Sequence, residues 1–276
     1  MNYTEFMNAM LCEIRGQVDA QVRTELYTVT KNNGTRRTGI LFKQEDSNLA
    51  PTIYLEFYQK YLKGQQVPDL ADSICSIYQE IRVKKTCDCQ NLFDFNHVKE
   101  HIVYKLIRRD ANEELLKQIP YEPFLDLAVV YYIQIDNTRF GSAAIQIRNE
   151  HLRYWRVEKE EIRRLAEKNT PRIYPVQIRQ IVRFMYVATN EQCSLGAAVM
   201  RYPDFREKVR GMIRGDFYIL PSSIHEVILV PESFGLEPER MQEMVKEINQ
   251  TGVAPEEVLS DSVYYFDGEE IRIVAK

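Results

Sequence analysis

Long apolar runs are missing from this sequence. The longest wholly apolar run is LAVVYYI at residues 127–133, whereas a membrane-spanning helix needs about 20 such residues. The N-terminal stretch MNYTEFMNAM lacks the basic and then apolar layout of a secretory signal peptide. Cysteine occurs five times, an odd number that favours reduced thiols over a disulfide framework. We therefore expect a cytoplasmic protein without membrane contact.

Glycine and proline are also scarce, with 11 of each among 276 residues, which leaves little room for a flexible linker. The sequence has no phosphate-binding loop of the G-x-x-x-x-G-K-[ST] or G-x-G-x-x-G type and no G-x-S-x-G nucleophile elbow. We therefore expect no cofactor, and both the nucleotide-binding and the α/β-hydrolase classes are disfavoured.

Positive charge is not in excess, since the net charge is −4, and this argues against nucleic acid as a partner. Residues 145–183 depart from this balance, because they hold ten Arg and Lys against five Glu. Two interpretations stay open: solvated helical faces, or a basic surface that meets an acidic partner. Binding of nucleic acid through this stretch is a third and weaker hypothesis.

The apolar periodicity alternates between helix and strand along the whole chain. Helical spacing marks residues 4–16, 68–85, 158–169 and 237–252, whereas residues 123–135, 196–200 and 225–230 have the pattern of strands. Asn32-Asn33-Gly34 and Asp267-Gly268 are typical of hairpin turns. Because hairpins outnumber parallel crossovers, we expect an α+β fold of mostly antiparallel sheets with interspersed helices. Two lobes are predicted, an N-terminal one at residues 1–115 and a larger C-terminal one at residues 116–276.

The segment LPSSIHEVILVP at residues 220–231 brings a serine, a histidine and a carboxylate close together. If a strand begins at His225, the alternation of side chains turns His225 and Glu226 to opposite faces. The same alternation places Ser223 on the face of His225, about 7 Å away. Proline and serines also explain a turn without any chemistry. We interpret the segment as a turn whose Ser222, Ser223, His225 and Glu226 contact a ligand or partner, with serine-type catalysis as the alternative.

A second candidate is the H-x-x-E-H match from His97 to His101, a spacing that places two imidazoles on one helical face. Cys87 and Cys89 precede it and extend the set to four possible zinc ligands. A chance match on an exposed helix is the competing interpretation, because the candidate helix is short and no third ligand stands out in the H-x-x-E-H scheme. These four residues are weak candidates, and no metal is expected.

Several stretches resemble a known family, and they are distributed in order over almost the whole chain: VTKNNGTRRTGI, LAPTIYLEFY, PFLDLAVVYY, NTPRIYP, LPSSIHEVILVP and VAPEEVLSDSVYYFD. The sequence resembles the clostridial domain-of-unknown-function family 5688, and the PSSIHEVIL stretch is loosely similar to the YtpQ-like proteins. The resemblance implies an intracellular protein of bacterial, Firmicutes origin and supplies no catalytic residues.

Together these features predict a non-enzymatic module that recognises a protein or a small ligand. The alternative is a hydrolase, either zinc-dependent through His97 and His101 or serine-type near Ser223 and His225.

Overall fold

The computed structural model describes residues 1–44, 52–54, 57–85, 94–138 and 141–276. These residues form two compact units. Unit 1 comprises Met1–Lys31, Thr35–Asp94 and Asn137–Ser142, and unit 2 comprises Asn32–Gly34, Phe95–Asp136 and Ala143–Lys276. The boundary predicted at residues 115 and 116 stays a prediction. It falls within unit 2, between two strands that pair with each other, Ile102–Arg108 and Leu127–Thr138.

Unit 1 packs helices on a small antiparallel sheet. Its helices are α1 (Tyr3–Gln17), α2 (Tyr58–Leu62) and α3 (Val67–Lys85), and its strands are β1 (Val22–Thr30), β2 (Arg36–Gln44) and β3 (Thr52–Tyr54). The sheet order is β1-β2-β3. Asn2 caps α1 through a capping box with Glu5, which satisfies backbone donors at the helix start. The core consists of apolar side chains from both helical and strand elements, including Phe6, Met10, Ile40, Phe42, Leu70 and Ile74.

The smaller sheet of unit 2 is built around one long strand. The elements of this region are α4 (Phe95–Val98), β4 (Ile102–Arg108), α5 (Glu113–Leu116), β5 (Tyr121–Phe124), β6 (Leu127–Thr138), β7 (Gly141–Gln146), α6 (Asn149–Trp155) and α7 (Lys159–Ile173). Strand β6 pairs with β4, β5 and β7. Its buried residues Leu127–Ile133 explain why the sequence there reads as a continuous apolar run.

The larger sheet of unit 2 has six strands in the order β13-β12-β10-β11-β9-β8, all antiparallel to their neighbours. The strands are β8 (Val176–Val182), β9 (Met185–Asn190), β10 (Phe217–Leu220), β11 (Val227–Pro231), β12 (Val263–Phe266) and β13 (Ile271–Ala275). Two helices belong to this region, α8 (Phe205–Met212) and α9 (Pro238–Thr251). Met241 and Val245 of α9 pack on this sheet, as helical spacing predicts.

The predicted α+β class with mostly antiparallel sheets is confirmed, and three local predictions are wrong. Residues Gly196–Arg201 form a 3-10 helix and not a strand. Helix α7 continues through Pro171 to Ile173, because a proline in the last turn costs only one backbone hydrogen bond. The strand predicted from His225 begins at Val227. No helix among the described residues is long and apolar enough to cross a membrane.

Candidate functional site

The 221–226 loop is held in place by backbone hydrogen bonds to residues 257–260. Ile224 N donates to the carbonyl of Glu257 at 2.9 Å, and Leu259 N donates to the carbonyl of Ser222 at 2.9 Å. Ser223 forms an isolated antiparallel bridge with Val258. Paired backbone on both sides of Ser223 fixes the loop as firmly as a strand, although its residues precede β11.

Both ring nitrogens of His225 are already engaged by the protein. The backbone N–H of Leu195 donates to Nδ1 at 3.2 Å, and Nε2 lies 3.3 Å from Oε1 of Glu257. Because Nδ1 accepts, the proton of the neutral ring resides on Nε2 and points to the carboxylate. The His225 and Glu257 side chains keep 32% and 42% of their surface exposed, so the ring is held at the surface and is not sealed inside.

Within the described residues, the hydroxyl of Ser223 makes no hydrogen bond to the ring of His225. Ser223 Oγ accepts a hydrogen bond from the backbone N–H of His225 at 3.1 Å, a contact typical of serine in a turn. A serine nucleophile needs a ring nitrogen that accepts its proton. Nδ1 of His225 is occupied by Leu195, and Nε2 carries the proton directed at Glu257. We expected Ser223 and His225 on one face because a strand was predicted to begin at His225. That prediction is wrong, since both residues precede the strand.

The 190–196 loop supports His225 from the other side, and sequence reasoning missed it. Thr189 Oγ1 donates to the carbonyl of His225 at 2.7 Å. Buried Asn190 orders the loop by accepting from the backbone N–H groups of Gln192 and Ser194. A Cβ on Gly196 would lie 2.4 Å from the carbonyl oxygen of His225 and 2.1 Å from Thr189 Oγ1. Glycine is therefore required at position 196. A glycine directly after a polar loop was the feature of the sequence that could have indicated this close contact.

Two polar side chains of the 221–226 loop retain unused hydrogen-bonding capacity. Within the described part of the chain, the hydroxyl of Ser222 and the carboxylate of Glu226 have no hydrogen-bond or ion-pair partner, and both residues are half-buried. The loop thus combines a fixed backbone with acceptors that face no protein donor. Such an arrangement can hold a hydrogen-bonding ligand with little loss of loop entropy on binding.

The segment 253–262, which pairs with this loop, is fixed by a buried polar cluster. Asp126 accepts hydrogen bonds from the hydroxyls of Ser260 at 2.7 Å, Ser262 at 2.9 Å and Tyr264. Burial, and then the Asp126 charge, raise the pKa of Tyr264 far above its usual value, so this hydroxyl stays a donor. Three donors on one carboxylate satisfy its oxygens, which makes the cluster structural.

The Asn32-Asn33-Gly34 turn, which belongs to unit 2, contacts the same segment. Asn33 Nδ2 donates to the carbonyls of Pro255 at 2.9 Å and Val258 at 2.6 Å. Asn33 also adopts a left-handed conformation with φ of 57°, which asparagine tolerates. Four stretches that carry the family resemblance therefore meet within unit 2: the asparagine turn, the stretch with Asp126, the 221–226 loop and the 253–262 segment.

The histidine pair at 97 and 101 does not lie on one regular helix. Helix α4 ends at Val98, and Lys99–His101 form a 3-10 turn, so the face-sharing geometry of positions i and i+4 is lost. Both histidines are exposed. Cys87 and Cys89 lie outside the described residues. Among those described, no group of three or more His, Cys, Asp and Glu side chains is arranged to hold a metal ion.

The basic stretch at 145–183 is neutralised in part by its own glutamates. On α7, Arg163 pairs with Glu160, and Arg164 pairs with Glu161 at 2.8 Å. These contacts follow the i, i+3 spacing of a helix, and they support the interpretation of a solvated face for α7. Arg179 and Arg183, near the end of the stretch, lie outside this helix.

The fold and the loop geometry define an α+β protein with antiparallel sheets and a pre-formed polar loop at the end of a strand pair. The chain matches the model of the Family of unknown function (DUF5688) over residues 3–184 and 182–268. It therefore belongs to that family, as its sequence indicated. Comparison with curated proteins finds no significant similarity, and comparison with solved structures finds none either.

Proposed function

We propose that this protein is a non-enzymatic recognition module whose contact surface is the 221–226 loop together with Glu257. The observation that carries the proposal is that both ring nitrogens of His225 already have partners within the protein. Its two nitrogens hold the 190–196 loop and Glu257, so the ring orders the surface and has no nitrogen left to activate a nucleophile.

The chemistry of the exposed groups indicates the kind of ligand. Glu226 and Glu257 offer carboxylates, and Ser222 offers a hydroxyl, each at partial exposure. Carboxylates on an ordered backbone bind ammonium or guanidinium groups through charge-assisted hydrogen bonds. We therefore propose a cationic group as the ligand, presented by a protein partner or by a small molecule. A cytoplasmic location, which fits the odd number of cysteines, and the bacterial origin that the sequence resemblance implies are part of this proposal.

The direct experiment compares two variants of the purified protein after its partner has been captured from the native host. Ser222→Ala with Glu226→Gln removes the unused acceptors and leaves every backbone contact of the loop in place. We expect about a tenfold or greater loss of affinity, with an unchanged melting temperature. Glu239→Gln in the first turn of α9 is the control, since it removes a comparable exposed carboxylate outside the loop.

Equal affinity of the double variant and the control would refute the proposal, and so would a lower melting temperature of the double variant. The hydrolase alternative predicts covalent labelling of Ser223 by a fluorophosphonate, or close to one equivalent of zinc in the purified protein. Labelling that disappears in Ser223→Ala would establish the serine alternative instead.

A further inference from the structure

Four large apolar side chains are exposed at the opposite end of the β9–β11 strand pair from His225. We name this group, Ile181, Val182, Phe184 and Phe234, the apolar tip. The exposed fractions of these four residues are 53%, 57%, 37% and 45%, respectively. The first three lie at the turn between β8 and β9, and Phe234 follows β11. The rings of Phe184 and Phe234 are 5.7 Å apart, so the two aromatic residues form one surface.

The backbone at the apolar tip is strained. Phe184 is the second residue of the two-residue turn that joins Val182 to Met185, and its φ is 67°. Glycine or asparagine is the favoured residue where a turn needs positive φ. A phenylalanine there bears a conformational cost that burial does not offset, since the side chain is more than a third exposed. Strain retained at an exposed aromatic residue is typical of a binding position.

Two arginines lie near the apolar tip in the sequence, and both are exposed. Arg183 lies with its guanidinium 4.8 Å from the centre of the Phe184 ring, and Arg179 is exposed on β8. Within the described residues neither arginine has an ion-pair partner, whereas Arg163 and Arg164 of the same basic stretch are paired. Part of the unpaired positive charge of this stretch therefore lies beside the apolar tip, at Arg183.

We infer that the apolar tip is a docking surface for an acidic protein segment that carries an apolar anchor. The charge complementarity selects acidic side chains, and the aliphatic and aromatic residues select leucine or phenylalanine as the anchor. Strand addition to the edge strand β8 is disfavoured, because its register shifts between Gln180 and Val182 and such a bulge interrupts pairing. Nucleic acid is disfavoured by the two aliphatic side chains and by the small number of arginines.

The test uses the full chain and a short fluorescein-labelled peptide in which leucine and phenylalanine alternate with glutamates. We expect saturable binding that weakens with added salt. A lysine peptide and a peptide with serines at the apolar positions should bind at least about tenfold more weakly. Equal binding of the acidic and lysine peptides overturns the inference, and so does the absence of binding to any of them.

A glycine variant separates binding from folding. Phe184→Gly removes the anchor contact and relieves the positive φ, so we expect about a tenfold loss of peptide affinity with a melting temperature equal to or above that of the parent. Ile248→Ser on α9 removes an equally exposed apolar side chain and should leave the affinity unchanged. Unchanged affinity of Phe184→Gly overturns the inference.

Binding of any of three other partners at the apolar tip would contradict the inference. Tighter binding to a single-stranded oligonucleotide, or to phosphatidylserine vesicles, than to the acidic peptide assigns the surface to a different ligand. A dimer in light scattering that dissociates in Phe184→Gly assigns it to a second copy of this chain. Because the 221–226 loop is left intact in these variants, their results are independent of the recognition function proposed above.

Discussion

The two ends of the β9–β11 strand pair differ in their hydrogen bonding and in their exposed apolar surface. At one end, the carbonyl of His225 accepts from Thr189, the ring accepts from Leu195, and Gly196 makes room for both. At the other end, Phe184 and Phe234 contact each other and solvent, and the turn is strained. The hydrogen bonds around His225 order its backbone and its ring, whereas exposed apolar surface with backbone strain is typical of a contact position.

This comparison separates residues that look alike in sequence. Ser223 and His225 have the composition of a catalytic site, yet their polar groups are engaged within the protein. Phe184 and Phe234 have the composition of a core, yet they lie at the surface. Stability measurements distinguish the two ends, since substitutions at Thr189 and Gly196, which hold His225 in place, should destabilise the protein and those at the apolar tip should not.

The largest effect is expected for Gly196→Ala. The new Cβ would lie 2.1 Å from Thr189 Oγ1 and 2.4 Å from the carbonyl oxygen of His225, so the 190–196 and 221–226 loops must separate. We expect a loss of about 3 kcal/mol in the free energy of unfolding, measured by urea denaturation. Gly211→Ala in α8 is the matched control, because a Cβ there meets nothing within 4 Å, and it should be neutral or slightly stabilising.

Asp126→Ala ranks second. It leaves the hydroxyls of Ser260, Ser262 and Tyr264 without their acceptor in a buried region, and we expect a loss of about 2 to 3 kcal/mol. Asp110→Ala removes a carboxylate that is 68% exposed and should cost less than about 1 kcal/mol. If thermal and chemical denaturation show equal losses for the two variants, Asp126 does not hold the 253–262 segment.

Thr189→Val should have a smaller effect, because it keeps the shape of a buried side chain and removes only its hydrogen bond to the His225 carbonyl. We expect a cost of about 1 kcal/mol in the free energy of unfolding. Hydrogen exchange should be faster at Leu195 and Ile224 in this variant, since both amides belong to the loops that Thr189 joins. Unchanged exchange rates at these amides would contradict the coupling of the two loops.

Phe234→Ser should have the smallest effect, at the other end of the pair. The side chain is 45% exposed, so its removal should change the free energy of unfolding by less than about 0.5 kcal/mol. A loss comparable to that of Thr189→Val would mean that the aromatic pair stabilises the fold. The comparison between a hydrogen-bonded end and an exposed apolar end would then fail.

Much of the architecture could be predicted because it depends on local patterns. The Asn32-Asn33-Gly34 turn joins two antiparallel strands as expected, because asparagine and glycine tolerate the positive φ found at Asn33 and Gly34. The amphipathic helix with Met241 and Val245 also lies where its spacing placed it. Both features are encoded within a few consecutive residues.

The sequence singled out the 221–226 segment as a candidate site, but it did not indicate the contacts that hold it. The partner of His225 Nδ1 is a backbone amide 30 positions away, and side-chain periodicity carries no information on such a contact. The apolar tip was missed for a related reason. Apolar residues such as Ile181, Val182 and Phe184 are typical of a buried strand, and their exposure follows only from the position of β8 at the sheet edge and of Phe184 in the turn after it.

The protonation state of the His225 ring tests the central claim most directly. Long-range ¹⁵N–¹H correlation spectra distinguish the two tautomers of a neutral imidazole, and the signals of His225 are identified by their loss in His225→Gln. We predict the Nε2–H tautomer, with an unprotonated Nδ1 that accepts from Leu195 and a proton directed at Glu257. An Nδ1–H tautomer with a free Nε2 would contradict the account, because that is the state in which a histidine activates a serine.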